Sequence, residues 1–358
     1  MDDFQSVEVI WVNKHAKAAV LFLAGTVIPA ASAAGGLERL EYRQILMGVP
    51  VRVLVYARKK EPANAAVHAA FDRIRQLNLI FSDYDDDSEI SRLARGYTPG
   101  KPVPISAELA TVLAASLDES RRSEGAFDVT VAPLVGLWRA SRRTKRLPTA
   151  GELASARKRV GYQSVHLDIE HRTVTLDKPG MRFDFGGIVK GYAADEARAV
   201  LKTHGFNQAL VALSGDISVG DPPPGEPGWK IGLAGLEPPG EEPKQFVWLT
   251  NKAVSTAGDA FQFVEIAGKR YSHLVDPKTG LGITRRVSVT VIAPTGLLSD
   301  GLDTAAAILG PEKGVKLLET TPGVSGRFIE LTKDGPKTFE TGEFSRFPAR
   351  PTSVPPRP

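Results

Sequence analysis

Cysteine is absent from this 358-residue chain. Disulfides, thiolate nucleophiles and cysteine-ligated zinc are thereby excluded, as is the lipid anchor that a bacterial lipoprotein carries on a cysteine. Charge of one sign is missing too: 45 Lys and Arg against 41 Asp and Glu leave a formal net charge of +4, with the two signs interspersed. Nucleic acid is therefore not an expected partner. The run Arg142-Arg143-Thr144-Lys145-Arg146 reads as a solvated linker. Beyond residue 34 no segment is apolar for long enough to span a bilayer, so no transmembrane span is expected in the mature form. Internal repeats are lacking as well.

What is present begins at the N-terminus. Lys14 and Lys17 precede the apolar run Ala18 to Ile28, which ends in Pro29 and the small-residue stretch Ala30-Ala-Ser-Ala-Ala34. A basic region, a short apolar core and an A-x-A-like cleavage site near Ala31-Ser-Ala33 together read as a signal peptide over residues 1–34. The expected location is periplasmic or otherwise exported. An uncleaved anchor is the competing reading. Residues 35–345 are long enough for one large domain or two ordinary ones, and 42% hydrophobic and 24% charged residues suit a folded core. Residues 346–358 form a proline-rich tail expected to be disordered.

Within that domain, alternating residues on both sides of Gly48-Val-Pro50 predict two strands between Tyr42 and Ala57. Apolar positions at Val67, Ala70, Phe71, Ile74, Leu77 and Ile80 predict a helix with one buried face over 63–81. Further helices are expected over 88–93, 107–123, 151–160 and 190–204, and strands over 165–168, 173–176, 209–213, 229–233, 246–249 and 287–292. A Pro/Gly-rich hairpin is expected over 220–228, and 238–243 reads as a surface loop. Helices and strands mix without a strict βαβ rhythm, which makes the fold class α+β, with mixed or antiparallel sheets and packed helices.

Chemistry concentrates in a few segments. Leu298 to Gly310 places Asp300, Asp303 and Thr304 at the very start of an otherwise apolar helix, with Ser299 as N-cap and Gly310 as stop. Asp300 and Thr304, four apart, share a helix face, and a carboxylate beside a hydroxyl suits Mg²⁺. The competing reading is that Asp300 only complements the helix dipole. Arg182 to Asp195 runs from an expected strand through Gly186 and Gly187 into a helix, a turn that lets the main chain approach a phosphate or metal. It matches neither the Walker nor the dinucleotide glycine pattern. Ser255, Thr256, Gly258 and Asp259 end an apolar strand with small polar groups able to hydrogen-bond a pyrophosphate. His273 and Asp276 stand close together in a loop, where either could move a proton. Gly125 to Trp138 is assigned to core and pocket wall.

These segments, in this order, resemble the ApbE-type FAD:protein FMN transferases. The matching pieces are Ser88 to Leu93, Gly125 to Trp138, Asp184 to Tyr192, Leu213 to Asp216, Ser255 to Asp259, His273 to Gly280 and Ser299 to Thr304, spread from about Leu40 to Leu318. The resemblance implies an ApbE-like, T-fold-related architecture and a Mg²⁺-dependent enzyme that cleaves FAD, releases AMP and attaches FMN to a threonine hydroxyl of an acceptor protein, such as a redox or electron-transport subunit. It implies metal ligands at Asp300, Thr304 and the main-chain carbonyl of Gly187, and catalytic roles for His273 and Asp276. Contacts to FAD are implied for Asp184, Gly186, Lys190, Ser255, Thr256, Gly258 and Asp259. Two positions depart from the family pattern: Ala94 stands where Asn is frequent, and Ser214 where Gly is usual. A flavin-binding protein that stores FAD without transferring it, and a Mg²⁺-dependent FAD pyrophosphatase yielding FMN and AMP, remain as alternatives.

Overall fold

The computed structural model describes residues 36–236, 243–258 and 262–347. The expected signal peptide, the proline-rich end beyond Phe347, most of the loop 238–243 and Asp259 lie outside these residues, while Arg346, expected in the disordered tail, closes a 3-10 turn over Phe344–Arg346. Eight strands form one sheet: β1 (Glu38–Leu46), β2 (Val49–Ala57), β3 (Ala209–Leu213), β4 (Asp216–Val219), β5 (Lys252–Gly258), β6 (Arg286–Ala293), β7 (Ser325–Thr332) and β8 (Gly335–Glu340). They lie side by side in chain order, and every neighbouring pair is antiparallel. The sheet is thus a meander, and everything else is inserted between its strands.

Strand period explains how the sheet is buried on both faces. Val51, Val53 and Val55 of β2 join Val211 and Leu213 of β3 on one side, while Leu54 and Leu210 turn to the other. The first side is covered by helices α1 (Lys60–Phe81), α6 (Val189–Thr203), α7 (Gly296–Leu309) and α8 (Pro311–Thr320). The second is covered by the hairpin of Trp229–Leu233 and Gln245–Leu249. A third cluster joins α4 (Ala132–Thr144) and α5 (Ala150–Arg157) to the hairpin Phe263–Ile266/Lys269–Ser272 through Leu134, Trp138, Val264 and Tyr271. Two more helices, α2 (Glu89–Gly96) and α3 (Ala107–Arg122), pack among the insertions after β2. No helix among the described residues is long and apolar enough to cross a membrane.

Several local expectations change. The helix carrying Asp300 starts at Gly296, not at Ser299, because Thr295 caps it by accepting the Leu298 N–H at 3.3 Å. Asp300 and Asp303 therefore sit in its second turn, where helix-dipole stabilisation has faded. Arg142 and Arg143 belong to the last turn of α4, which ends at a left-handed Lys145, so this run is not a linker. Arg182 to Phe185 forms no strand: the segment is extended and tied by its Asp184 N–H to the Val129 carbonyl at 2.8 Å. Residues 220–228 form no hairpin, since they connect the main sheet to a separate two-stranded one.

Helix α7 is buried nearly all round, with Leu302, Ala305, Ala306 and Ala307 against α6, β5, β6 and α8. Its crossing with α6 is very close. A methyl group built on Gly191 would stand 2.0 Å from the Gly296 carbonyl oxygen, and one on Gly296 would stand 2.3 Å from that of Gly191.

Candidate active site

A cavity of about 860 Å³ opens between the helical layer, the end of β5 and the α4 region. Phe81, Phe127 and Trp138 give it an apolar flank, and its floor holds Lys190, Asp216, Asp300, Asp303 and Thr304. Asp216 is delivered by the β3–β4 turn, Lys190 by the first turn of α6, and the rest by α7.

Asp216, Asp300 and Asp303 are all buried, and each offers a carboxylate oxygen within 4.8 Å of the others. The Lys190 ammonium bonds Asp216 and lies 3.5 Å from Asp300 Oδ1. Asp300 Oδ2 accepts the Gly191 N–H at 2.9 Å. One ammonium facing three carboxylates leaves the cluster short of positive charge, and buried charges need compensation. Burial first, and then the Asp216 charge, push Asp300 up to about 7 despite Lys190. Burial and the Asp300 charge likewise hold Asp303 well above the carboxylate range. For Lys190, burial alone would favour the neutral amine, but Asp216 and Asp300 outweigh it and keep the ammonium firmly protonated.

This donor set fits a hard divalent cation, which would supply the missing charge through oxygen ligands. Thr304 Oγ1 is adjacent, 3.2 Å from Asp303 Oδ1. A methyl group on Gly187 would come within 3.0 Å of the same hydroxyl, so the glycine turn touches the cluster. Helix spacing paired Asp300 with Thr304 and the family resemblance added Gly187, but Asp216 and Asp303, the latter named beside them, were not in the expected ligand set. The i, i+3 spacing from Asp300 was a usable signal for Asp303. For Asp216 the signal was a lone acid in a tight turn at the end of an apolar strand. That turn is strained: Ser214 has φ 60°, in the left-handed region where glycine is at ease, costing about 1 kcal/mol. The departure at Ser214 thus falls on backbone conformation.

The other expected site residues divide. Asp184 Oδ1 accepts the Gly186 N–H at 2.8 Å and shapes the double-glycine turn, with Arg139 3.5 Å from its other oxygen. Burial and the nearby Asp83 raise its pKa, opposed by Arg139. Thr256 and Gly258 line the cavity. Ser255 does not: adjacent strand residues face opposite ways, and its hydroxyl meets Ser299 Oγ at 2.9 Å beneath α7. His273 lines the cavity, and its Nδ1 lies 3.2 Å from the Gln262 carbonyl oxygen. A carbonyl can only accept, so Nδ1 is the donor in this contact. Asp276 is not in the cavity wall. Its Oδ1 accepts the Lys278 N–H at 2.8 Å and its carbonyl the Gly280 N–H at 2.7 Å, so this carboxylate shapes the turn through Pro277.

Behind α7, Glu119 of α3 packs against Gly301 and is buried, with Oε1 lacking a hydrogen-bond partner. Burial pushes it up from 4.5 to about 7. The unfolded chain then ionises at lower pH than the folded one, so stability is full in acid and falls as pH rises from about 4.5 to about 7. That window is worth about 3 kcal/mol. Glu119→Gln should lose this part of the pH dependence, and denaturant midpoints of both proteins at about pH 5 and pH 8 measure it. Parallel profiles would show that Glu119 ionises normally.

Three kinds of comparison bear on this arrangement. The chain is 31% identical over 337 residues to the FAD:protein FMN transferase of Vibrio cholerae serotype O1, covering 93% of this chain and 97% of that protein. It is 34% identical over 253 residues to the FAD:protein FMN transferase of Haemophilus influenzae, covering 69% and 73%. Among solved structures, the flavin transferase ApbE from Vibrio cholerae superposes with a TM-score of 0.79 at 27% identity, over 87% of this chain and 99% of that one. The apo form of the Pseudomonas stutzeri flavinyl transferase ApbE gives 0.77 at 30% identity, over 87% and 97%. With the ApbE family model matching residues 47–328, a span that includes β2 to β6, part of β7 and every residue of the acid cluster, the chain belongs to the ApbE family.

Proposed function

We propose that this protein is an FAD:protein FMN transferase that moves FMN from FAD to a threonine hydroxyl of an acceptor protein and releases AMP. The observation that carries this reading is the buried acid cluster at the floor of a cavity whose wall also holds His273. Mg²⁺ would be held by Asp300, Thr304 and the Gly187 carbonyl, with Asp216 and Asp303 beside them, and would neutralise charge on the pyrophosphate oxygens. Lys190 keeps the carboxylates apart in charge and fixes their geometry. The Gly186–Gly187 turn brings main-chain groups up to the phosphates, and Phe81, Phe127 and Trp138 exclude water from a planar ring system. His273 Nε2 takes the proton of the threonine hydroxyl as its oxygen attacks the FMN-side phosphorus. The bond from that phosphorus to the bridging oxygen breaks, and AMP leaves with the electron pair.

Incubation of the purified protein with FAD, Mg²⁺ and a threonine-bearing acceptor domain should give an acceptor heavier by one FMN, with equimolar AMP. EDTA should stop the reaction. Release of free FMN and AMP at the same rate without acceptor would favour the pyrophosphatase, and intact FAD in every arm would favour storage. The basic, apolar and small-residue sequence of residues 14–34 supports export, and with it an acceptor that is an extracytoplasmic redox subunit. A mature N-terminus near Ala34 after cell fractionation checks it.

A further inference from the structure

The mouth of the cavity carries a surface that the chemistry at its floor does not use. Beside it lies a groove of about 430 Å³ that shares Tyr84, Arg139 and Arg142 with the cavity wall and extends to Arg143, Lys145 and Phe263. Arg139 is occupied, paired with Asp83 and stacked on Tyr84 at 4.4 Å. Arg142, Arg143 and Lys145 have no carboxylate partner among the described residues, and Arg143 and Lys145 are exposed. Apolar groups gather here as well. Of the six large hydrophobic residues exposed among the described ones, two, Tyr84 and Phe263, line this groove. Exposed aromatic side chains in a groove that joins the cavity wall suit the docking of a polypeptide, and cations along the same groove select the charge of what docks.

We propose that the end of α4 is the docking surface for the acceptor polypeptide, and that it takes an acidic segment next to the threonine to be modified. The proposal rests on the transfer reading above. A nucleotide confined to the cavity does not need cations on the outer side of the groove, whereas a polypeptide that reaches the cavity must cross its rim. The carboxylates of that segment would pair with Arg143 and Lys145 while Tyr84 and Phe263 cover its apolar atoms.

The test uses the Arg143→Glu, Lys145→Glu double variant and a peptide library with a fixed central threonine, supplied with FAD and Mg²⁺ and read by covalent flavin fluorescence and mass. The native protein should enrich Asp and Glu on one side of the threonine. The variant should lose at least about tenfold in kcat/KM on the best acidic peptide and regain it when those acids are changed to Lys, with FAD affinity unaltered. Equal use of acidic and lysine peptides by the native protein would overturn the proposal. So would a parallel loss of FAD affinity in the variant, which would assign the groove to the nucleotide. Binding of native protein but not variant to phosphatidylglycerol vesicles, with peptide labelling unchanged, would assign it to a membrane surface and overturn it equally. Bound FAD with no peptide labelled by either protein would remove the transfer reading itself.

Discussion

An Asp300→Asn variant should still bind FAD, transfer flavin at least about 100-fold more slowly, and yet be less sensitive to alkaline pH than the native apo protein. The two effects have one origin. Asp300 is 2% exposed and faces Asp216 and Asp303, so its ionised form is disfavoured in the fold and its carboxyl is raised to about 7. For an acid raised in this way, the folded state holds a proton that the unfolded state has released, and stability drains away as pH climbs from about 4 to about 7. Asparagine has no charge to penalise. Its amide oxygen can still accept the Gly191 N–H that Asp300 Oδ2 accepts at 2.9 Å. Melting curves from pH 5 to 8 should therefore be flatter for the variant. Adding Mg²⁺ should raise the native melting temperature and leave that of the variant nearly unmoved, because a ligand that binds only the folded state stabilises it by mass action. Equal stabilisation by Mg²⁺ in both proteins would remove Asp300 from the ligand set.

Gly191→Ala is the second substitution expected to be severe. Its methyl group would stand 2.0 Å from the Gly296 carbonyl oxygen and 2.9 Å from Asp300 Cβ. The obstacle is backbone on a buried helix, so no side chain can swing aside, and α6 must separate from α7. Forced overpacking of this kind costs about 3 kcal/mol or more. Turnover should fall even at temperatures where the variant is folded, since Lys190 and Asp300 are carried on the two separated helices. Gly136→Ala in α4 is the control, because a methyl group there meets nothing within 4 Å and helix propensity favours alanine by about 1 kcal/mol. Denaturant midpoints and kcat for the two variants give the comparison, and a fully active, stable Gly191→Ala would show that the crossing tolerates separation.

Periodicity made much of this fold legible. The strands over 165–168 and 173–176 and the wholly apolar strand over 209–213 appear where the sequence pattern puts them, and the 63–81 helix differs from the observed α1 only by three residues at its start. Local signals failed where a distant partner decides. Thr295 rather than Ser299 caps α7, because Ser299 is drawn into a hydrogen bond with Ser255 from the neighbouring strand. The pairing of Asp300 with Thr304 followed from helix geometry alone, whereas Asp216 joins them only because the meander sets β4 beside β5 and α7 beneath both. Asp276 read as a second candidate for moving a proton because it stands near His273 in sequence, but its carboxylate accepts the Lys278 N–H in the turn through Pro277 and does not line the cavity.

The two central helices also hold each other's beginnings. Asp195 of α6 accepts the Gly296 and Leu297 N–H groups at the start of α7, at 2.6 and 3.1 Å, while Asp300 of α7 accepts the Gly191 N–H in the first turn of α6. Neither helix can fray without stripping a partner from the other, so they open together or not at all, as one cooperative unit. A cation gripping Asp300 would consequently stiffen the double-glycine turn at Gly186 and Gly187, which leads into α6, through the shared latch.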